Sequence, residues 1–266
     1  MATVYLIGAG PGDPELMTRK AWRLLGEAQV VLHDALMDVA GMQAAAPNAL
    51  WINVGKRCEG TSVDQTFICR SIVGYAKRGL KVVRLKGGDP TLFGRLAEEL
   101  AACRGAGLSV EVVPGVTSAC AAAADLQTSL TLRGVSRSVA FVTPRVGRKE
   151  LDLANEWLRV SLAAQTVVLY MAGKQARSIA NNLIAGGKPA STPVCIVENA
   201  SAVGARLRMS LSDLARDGLP SKRRPQGENG VGSQVMPAAI NSFCTSERFS
   251  FRSLTRKSKV PGCCRL

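Results

Sequence analysis

Histidine occurs once, at His33, and aromatic residues make up only 5% of the 266-residue chain. A lone imidazole cannot build a His-rich metal centre, and it weakens any triad that depends on one. Sparse aromatic rings argue against a base-stacking surface for single-stranded nucleic acid. No apolar run reaches the about 18 residues that a membrane-crossing helix needs. The N-terminus enters a strand with no basic leader, so no signal peptide is expected. Eight cysteines are present, none in a C-x-x-C pair, and Cys263 and Cys264 are adjacent. That usage predicts free thiols in a reducing cytoplasm, no disulfide framework and no metal site.

Acidic residues are the scarcer charge, 20 against 34 Lys and Arg, for a net +14. Such a balance attracts polyanions, from nucleic acid to an acidic metabolite, and it also serves solubility. Half of the excess sits in residues 221–266, which hold nine basic and two acidic residues. The apolar fraction of 47% is ample for a core, and the length allows two compact domains.

Three glycine-bearing turns follow three apolar strands. Gly8-Ala9-Gly10-Pro11-Gly12-Asp13-Pro14 follows Val4-Tyr5-Leu6-Ile7. Gly87-Gly88-Asp89-Pro90 follows Val82-Val83-Arg84-Leu85, and Pro114-Gly115-Val116-Thr117-Ser118 follows Val110-Glu111-Val112-Val113. Glycine lets a ligand approach the backbone closely, and open α/β sheets bind ligands at the carboxyl ends of their strands. Three such turns in one sheet predict a small-molecule site. A dinucleotide fingerprint needs a glycine where this chain has Asp13, whose carboxylate would repel a pyrophosphate. Asp34, at the end of the second strand, is where a ribose-binding acid would stand, so that reading is weakened rather than removed.

Residues 1–114 alternate strands, near 3–7, 29–33, 50–54, 82–86 and 109–113, with helices over 15–25, 63–78 and 92–104. Asp13 and Pro14 suit the start of the first helix. The pattern predicts a largely parallel sheet with right-handed crossovers. A domain boundary is expected at Pro114-Gly115. Beyond it come an Ala-rich helix over 118–125, strands near 138–143, 166–171 and 193–198, and a helix over 174–185. The expectation is therefore a two-domain α/β protein, 1–114 and 115–220, the topology of the second domain being less clear. The segment after Pro220 is rich in Arg, Lys and Ser with poor periodicity and is expected to be disordered; a nucleic-acid-binding arm is the other reading.

The turns, together with Val30 to Leu36, Val54-Gly55-Lys56-Arg57, Phe93-Gly94-Arg95, Val167 to Met171 and Thr192 to Ala200, resemble the tetrapyrrole methylase family over about residues 3–200. The match is closest to the branch that acts on uroporphyrinogen III. The resemblance implies a homodimeric α/β enzyme with S-adenosylmethionine in the interdomain cleft. It implies two successive methyl transfers to ring carbons of uroporphyrinogen III, giving precorrin-2 on the way to sirohaem and cobalamin. Uroporphyrinogen III is a polycarboxylate, which suits the basic excess. By resemblance Asp34 is the proton acceptor and Lys56 the proton donor; by themselves they read equally as a capping Asp and a solvated Lys. The cofactor residues implied are Pro11, Gly87, Gly88, Asp89, Leu92, Thr117, Ser118, Met171 and Ala200. Asp89 suits an ammonium or ribose hydroxyl, or else a helix cap. Arg95 is a candidate for a substrate carboxylate, because a guanidinium fork fits that group.

The chain departs from the family in three places. Leu132 and Arg145 stand where many members carry histidine, so any substrate contact those histidines make is absent here or is replaced, with Arg133 and Arg145 as the candidates. After Leu219-Pro220 an apolar final strand is replaced by the basic tail, which implies a reading-frame shift near position 220. The rival readings are a methylase acting on a later corrin intermediate, a non-catalytic nucleotide- or NAD-binding module, and a nucleic-acid binder driven by the tail. No nucleic-acid or membrane partner is expected.

Overall fold

The computed structural model describes residues 3–34, 37–55, 64–144 and 156–219. Lys56, Arg145 and the whole basic tail lie outside these residues. Strand β1 (Thr3–Gly8) is followed by helix α1 (Arg19–Gly26), β2 (Val30–His33), the short α2 (Val39–Gln43) and β3 (Leu50–Asn53). Next come α3 (Gln65–Lys77), β4 (Val82–Lys86), α4 (Leu96–Gly105) and β5 (Ser109–Val113). The five strands form one sheet in the order β3-β2-β4-β1-β5, with every pair parallel. All five carboxyl ends therefore open on the same edge.

Apolar runs make the central strands because both faces of the sheet are covered. Ile7, Val31, Val83 and Leu85 pack against Ala21, Leu24 and Leu25 of α1. Val4, Leu6, Val30, Leu32 and Val82 pack on the other face against Ile68 and Ile72 of α3 and Cys103 of α4. Burial drives the Cys103 thiol up to about 11, so it stays protonated at neutral pH.

Two helix starts differ from the sequence expectation. Asp13 caps only a 3₁₀ turn, Pro14–Leu16, by accepting from Glu15 N at 2.8 Å. The chain then extends through Met17, and Thr18 Oγ1 caps α1 by accepting from Ala21 N at 3.1 Å. Helix α4 begins at Leu96 instead of 92, because Phe93 and Arg95 take positive φ, 54° and 55°. A left-handed residue cannot continue an α-helix.

The second half contains α5 (Ser118–Asp125), β6 (Val139–Val142), α6 (Glu156–Ala163), β7 (Thr166–Leu169) and α7 (Ala176–Ala185). It closes with β8 (Pro193–Val197), β9 (Arg206–Ser210) and α8 (Leu211–Asp217). β6 and β7 pair in parallel, and β8 and β9 pair antiparallel. Val167, Leu169, Val194 and Ile196 face Ile179, Leu183, Leu211 and Leu214 of α7 and α8. The alternate residues Val168, Tyr170 and Val197 face the alanines of α5. β7 and β8 thus lie between the same two helical layers. The short side chains of α5 let its backbone settle close to them.

Candidate active site

The three glycine turns are laced into one surface. Gly10 and Gly88 exchange backbone hydrogen bonds, Gly10 N to Gly88 O at 3.2 Å and Gly88 N to Gly10 O at 2.6 Å, and Ala9 N donates to Lys86 O at 2.8 Å. A side-chain carbon at Gly8 would lie 2.7 Å from backbone atoms of both Gly115 and Gly88, so no other residue fits without a shift. Asp89 ties the second turn to the third. Its Oδ2 accepts from Gly115 N at 2.9 Å, and its Oδ1 accepts from Thr91 N at 2.7 Å and Thr91 Oγ1 at 2.5 Å. Asp89 is thus a cross-link between turns rather than a helix cap. Partial burial works to raise its pKa, but the hydrogen bonds from Thr91 and Gly115 outweigh that and hold it below the usual carboxylate range.

The opposite wall comes from the second half of the chain. Thr117 Oγ1 and the Tyr170 hydroxyl are 2.7 Å apart. The Phe93 and Phe141 rings flank Tyr170, with centroids 5.1 and 6.1 Å from its own. Burial first of all lifts the pKa of Tyr170, so its hydroxyl stays protonated. Leu92 packs with Tyr170 and Ala200, and Asp13 N donates to Ser201 Oγ at 3.2 Å. A side-chain carbon on Gly12 would stand 3.6 Å from Ala200 O, so the turn containing Pro11 meets the Ala200 loop directly. Arg206 pairs with Asp125, which also accepts from Ser201 N at 2.9 Å, and so fixes that loop.

Pro11, Gly87, Gly88, Asp89, Leu92, Thr117, Ser118, Met171 and Ala200 therefore belong to turns and strand ends that meet along one edge. Strained backbone gathers there too. Six non-glycine residues among those described have positive φ, and Phe93, Arg95, Met171, Asn199 and Ser201 are five of them. Such residues cost of order 1–3 kcal/mol each and persist where the surroundings over-determine them, typically at ligand sites.

Asp34 follows β2 on the same edge of the sheet and is 34% exposed. Its Oδ1 accepts from Arg84 Nη2 at 2.5 Å, and Oδ2 makes no hydrogen bond among the described residues. Arg95 opens α4 with its fork already closed on Glu98, Nε to Oε1 at 2.7 Å and Nη2 to Oε2 at 2.6 Å. Its Nη1 makes no hydrogen bond among the described residues, and the side chain is 57% exposed.

Behind Asp34 lies a buried charge cluster that sequence reasoning missed. Arg84 and Lys86 point to one face of β4, where Glu99 of α4 and Gln65 of α3 meet them. Glu99, with no exposure at all, accepts from Arg84 Nε at 3.1 Å, from Lys86 Nζ at 2.9 and 3.0 Å, and from Gln65 Nε2 at 3.2 Å. Burial opposes the Arg84 charge, but Asp34 and Glu99 outweigh it and raise the pKa. Burial, and then the Arg84 charge, hold Lys86 below the ordinary lysine range despite Glu99. The available signal was two cations spaced i, i+2 in a strand that is otherwise wholly apolar.

A parallel sheet with a glycine-lined carboxyl edge, faced by the second half of the chain, belongs to the class of α/β folds that hold small-molecule ligands at strand ends. Comparison makes the assignment specific. The chain belongs to the Tetrapyrrole (Corrin/Porphyrin) Methylases, whose family model matches residues 3–215. It is similar to a uroporphyrinogen-III C-methyltransferase of Cyanidium caldarium, 41% identical over 198 residues, covering 74% of this chain and 79% of that one. A solved uroporphyrin-III C-methyl transferase of Thermus thermophilus, complexed with S-adenosylhomocysteine, superposes with a TM-score of 0.70 at 37% identity, covering 84% of this chain and 89% of the other. A cobalt precorrin-4 methyltransferase of cobalamin biosynthesis also superposes with a TM-score of 0.70, at 29% identity, covering 80% and 87% of the two chains.

Proposed function

We propose that this protein methylates uroporphyrinogen III at two ring carbons, using S-adenosylmethionine and yielding precorrin-2. The observation that carries this reading is the single surface formed by the three laced turns at the strand ends, facing Tyr170, Met171 and Ala200. The local chemistry fits the methyl donor. A side-chain carbon on Gly87 would meet nothing within 4 Å, so space opens beside the second turn. Asp89, held ionised and with lone pairs to spare, suits the methionine ammonium or a ribose hydroxyl. Met171 and Leu92 offer apolar contact, and the Ala200 backbone offers hydrogen bonds to a heterocycle.

S-adenosylmethionine supplies an electrophilic methyl group. The chain's part is positioning and proton handling. Holding two reactants in line can supply much of the rate. Asp34 takes the role of proton acceptor as the macrocycle rearranges, and Lys56 that of proton donor, both by family likeness. Thr117 and Ser118 join the third turn to the wall that carries Tyr170. Arg95 contributes the Nη1 side of its guanidinium, left open by Glu98, for a substrate carboxylate. On the same reading residues 1–114 and 115–220 are the two domains, the protein is a cytoplasmic homodimer, and its product feeds sirohaem and cobalamin synthesis. No helix among the described residues is long and apolar enough to cross a membrane.

The second reading is a methylase acting on a later corrin intermediate, favoured by the equal TM-score of the cobalt precorrin-4 methyltransferase. One experiment separates them. The full chain is incubated anaerobically with S-adenosylmethionine and freshly made uroporphyrinogen III, and products are read by mass spectrometry. Two added methyl groups, absent in a folded Asp34→Ala variant, are expected. No added methyl, with S-adenosylhomocysteine still bound, sinks the substrate assignment.

A further inference from the structure

The cluster behind Asp34 is built around one guanidinium. Arg84 Nε meets Glu99 at 3.1 Å, Nη2 meets Asp34 at 2.5 Å, and Nη1 donates to Leu85 O at 2.9 Å and more weakly to Leu32 O at 3.4 Å. Every edge of the fork is used, and only 3% of the side chain is exposed. Arg84 therefore has no surface to offer a tetrapyrrole. Register explains the arrangement: Leu32 lies opposite Arg84 in the β2–β4 pair, so Asp34, two residues on, shares its face of the sheet.

We propose that Arg84 is a positioning residue for the Asp34 carboxylate, with Glu99 as its anchor. The inference rests on the reading of Asp34 as proton acceptor. Arg84 immobilises Oδ1 and leaves Oδ2 with no hydrogen bond among the described residues, on a side chain that is 34% exposed. Glu99 holds Arg84 in turn, and Lys86 and Gln65 hold Glu99. A carboxylate at a strand end would otherwise sample several rotamers. Here it is fixed to the rigid centre of the sheet, the kind of support that proton transfer at a set geometry requires. The cluster contains two cations and two anions, so it anchors Asp34 without a net buried charge.

The test is a double-mutant cycle on the full chain, with kcat and KM measured for both substrates and folding followed by urea unfolding and S-adenosylhomocysteine affinity. Arg84→Met leaves Glu99 paired with Lys86. It should lower kcat by about 10- to 100-fold, the scale of a misplaced catalytic group. Both KM values and the S-adenosylhomocysteine affinity should move by less than about threefold. In an Asp34→Asn background the same change should cost almost nothing, because the group it positions is gone. Arg84→Lys keeps the charge and loses the fork. It should fold even if Arg84→Met does not, and still show the fall in kcat. An additive loss in the double variant, or wild-type kcat in Arg84→Lys, overturns the proposal. An inactive wild type, or full activity in Asp34→Asn, overturns instead the functional reading on which it rests.

Discussion

Truncating Glu99 to Ala tests whether the buried cluster stabilises the fold as its geometry implies. The carboxylate accepts from three side chains, Gln65, Arg84 and Lys86, at 2.9–3.2 Å. Once it is removed, Arg84 keeps Asp34 and Leu85 O, but Lys86 Nζ keeps no hydrogen bond among the described residues. Removing one partner of a buried pair costs about 3–5 kcal/mol, because the other charge is stranded. Against a typical total of about 5–15 kcal/mol, that is a large share. The pH dependence has a definite sign. Lys86 is already below the ordinary lysine range when folded, and losing Glu99 lowers it further. Between the folded and unfolded pKa the unfolded chain holds a proton that the folded chain lacks, so stability of the variant rises with pH across that window. Urea unfolding followed by circular dichroism should show a larger deficit near pH 7 than near pH 9. A deficit below about 1 kcal/mol near pH 7, or one that grows with pH, would refute the reasoning. The companion variant Lys86→Met, Glu99→Leu removes both partners and should recover most of the loss.

Gly115→Ala would put a carbon 2.9 Å from Gly8 Cα and closer still to Gly88 O, so S-adenosylhomocysteine affinity by calorimetry should fall at least about tenfold, with unaltered binding contradicting the laced turns. Met171→Gly relieves a φ of 57° and should stabilise the fold by about 1 kcal/mol in thermal unfolding while weakening cofactor binding. Asp89 has a folded pKa below its unfolded value, so its contribution is present above the unfolded carboxylate range and lost as pH falls through the folded pKa. Asp89→Asn should therefore be less stable than the parent near neutrality, by about 1 kcal/mol, and the two should converge on acidification; parallel stability curves would contradict this.

The first sheet was legible because β1, β4 and β5 are largely apolar runs that lead into glycine turns, the pattern of strands in a doubly covered parallel sheet. β9 was not read, because Arg206-Leu207-Arg208-Met209 makes sense as a strand only beside β8. Helix α1 was read early because Asp13-Pro14 is a good cap in isolation; the 3₁₀ turn and extended Met17 reflect how the turn meets its neighbours. The site turns could be found from glycine spacing. Arg84, Lys86 and Glu99 could not, because a cation in a strand gives no sign of whether a carboxylate waits on a helix thirteen to fifteen residues away. Tyr170 was passed over for the same reason, since its partner Thr117 is 53 residues distant.

The three laced turns act mechanically as a single plate. Bonds from each of them run to another: Gly10 to Gly88, Asp89 to Gly115. A loop in this plate cannot swing aside by itself, as a solitary lid can. The facing wall is joined to it by Asp13 to Ser201, by Thr117 to Tyr170 and by α5, which the third turn opens and which packs against β7 and β8. A side chain that pushes one turn out of place is therefore felt along the whole ligand edge, from Gly10 to Tyr170.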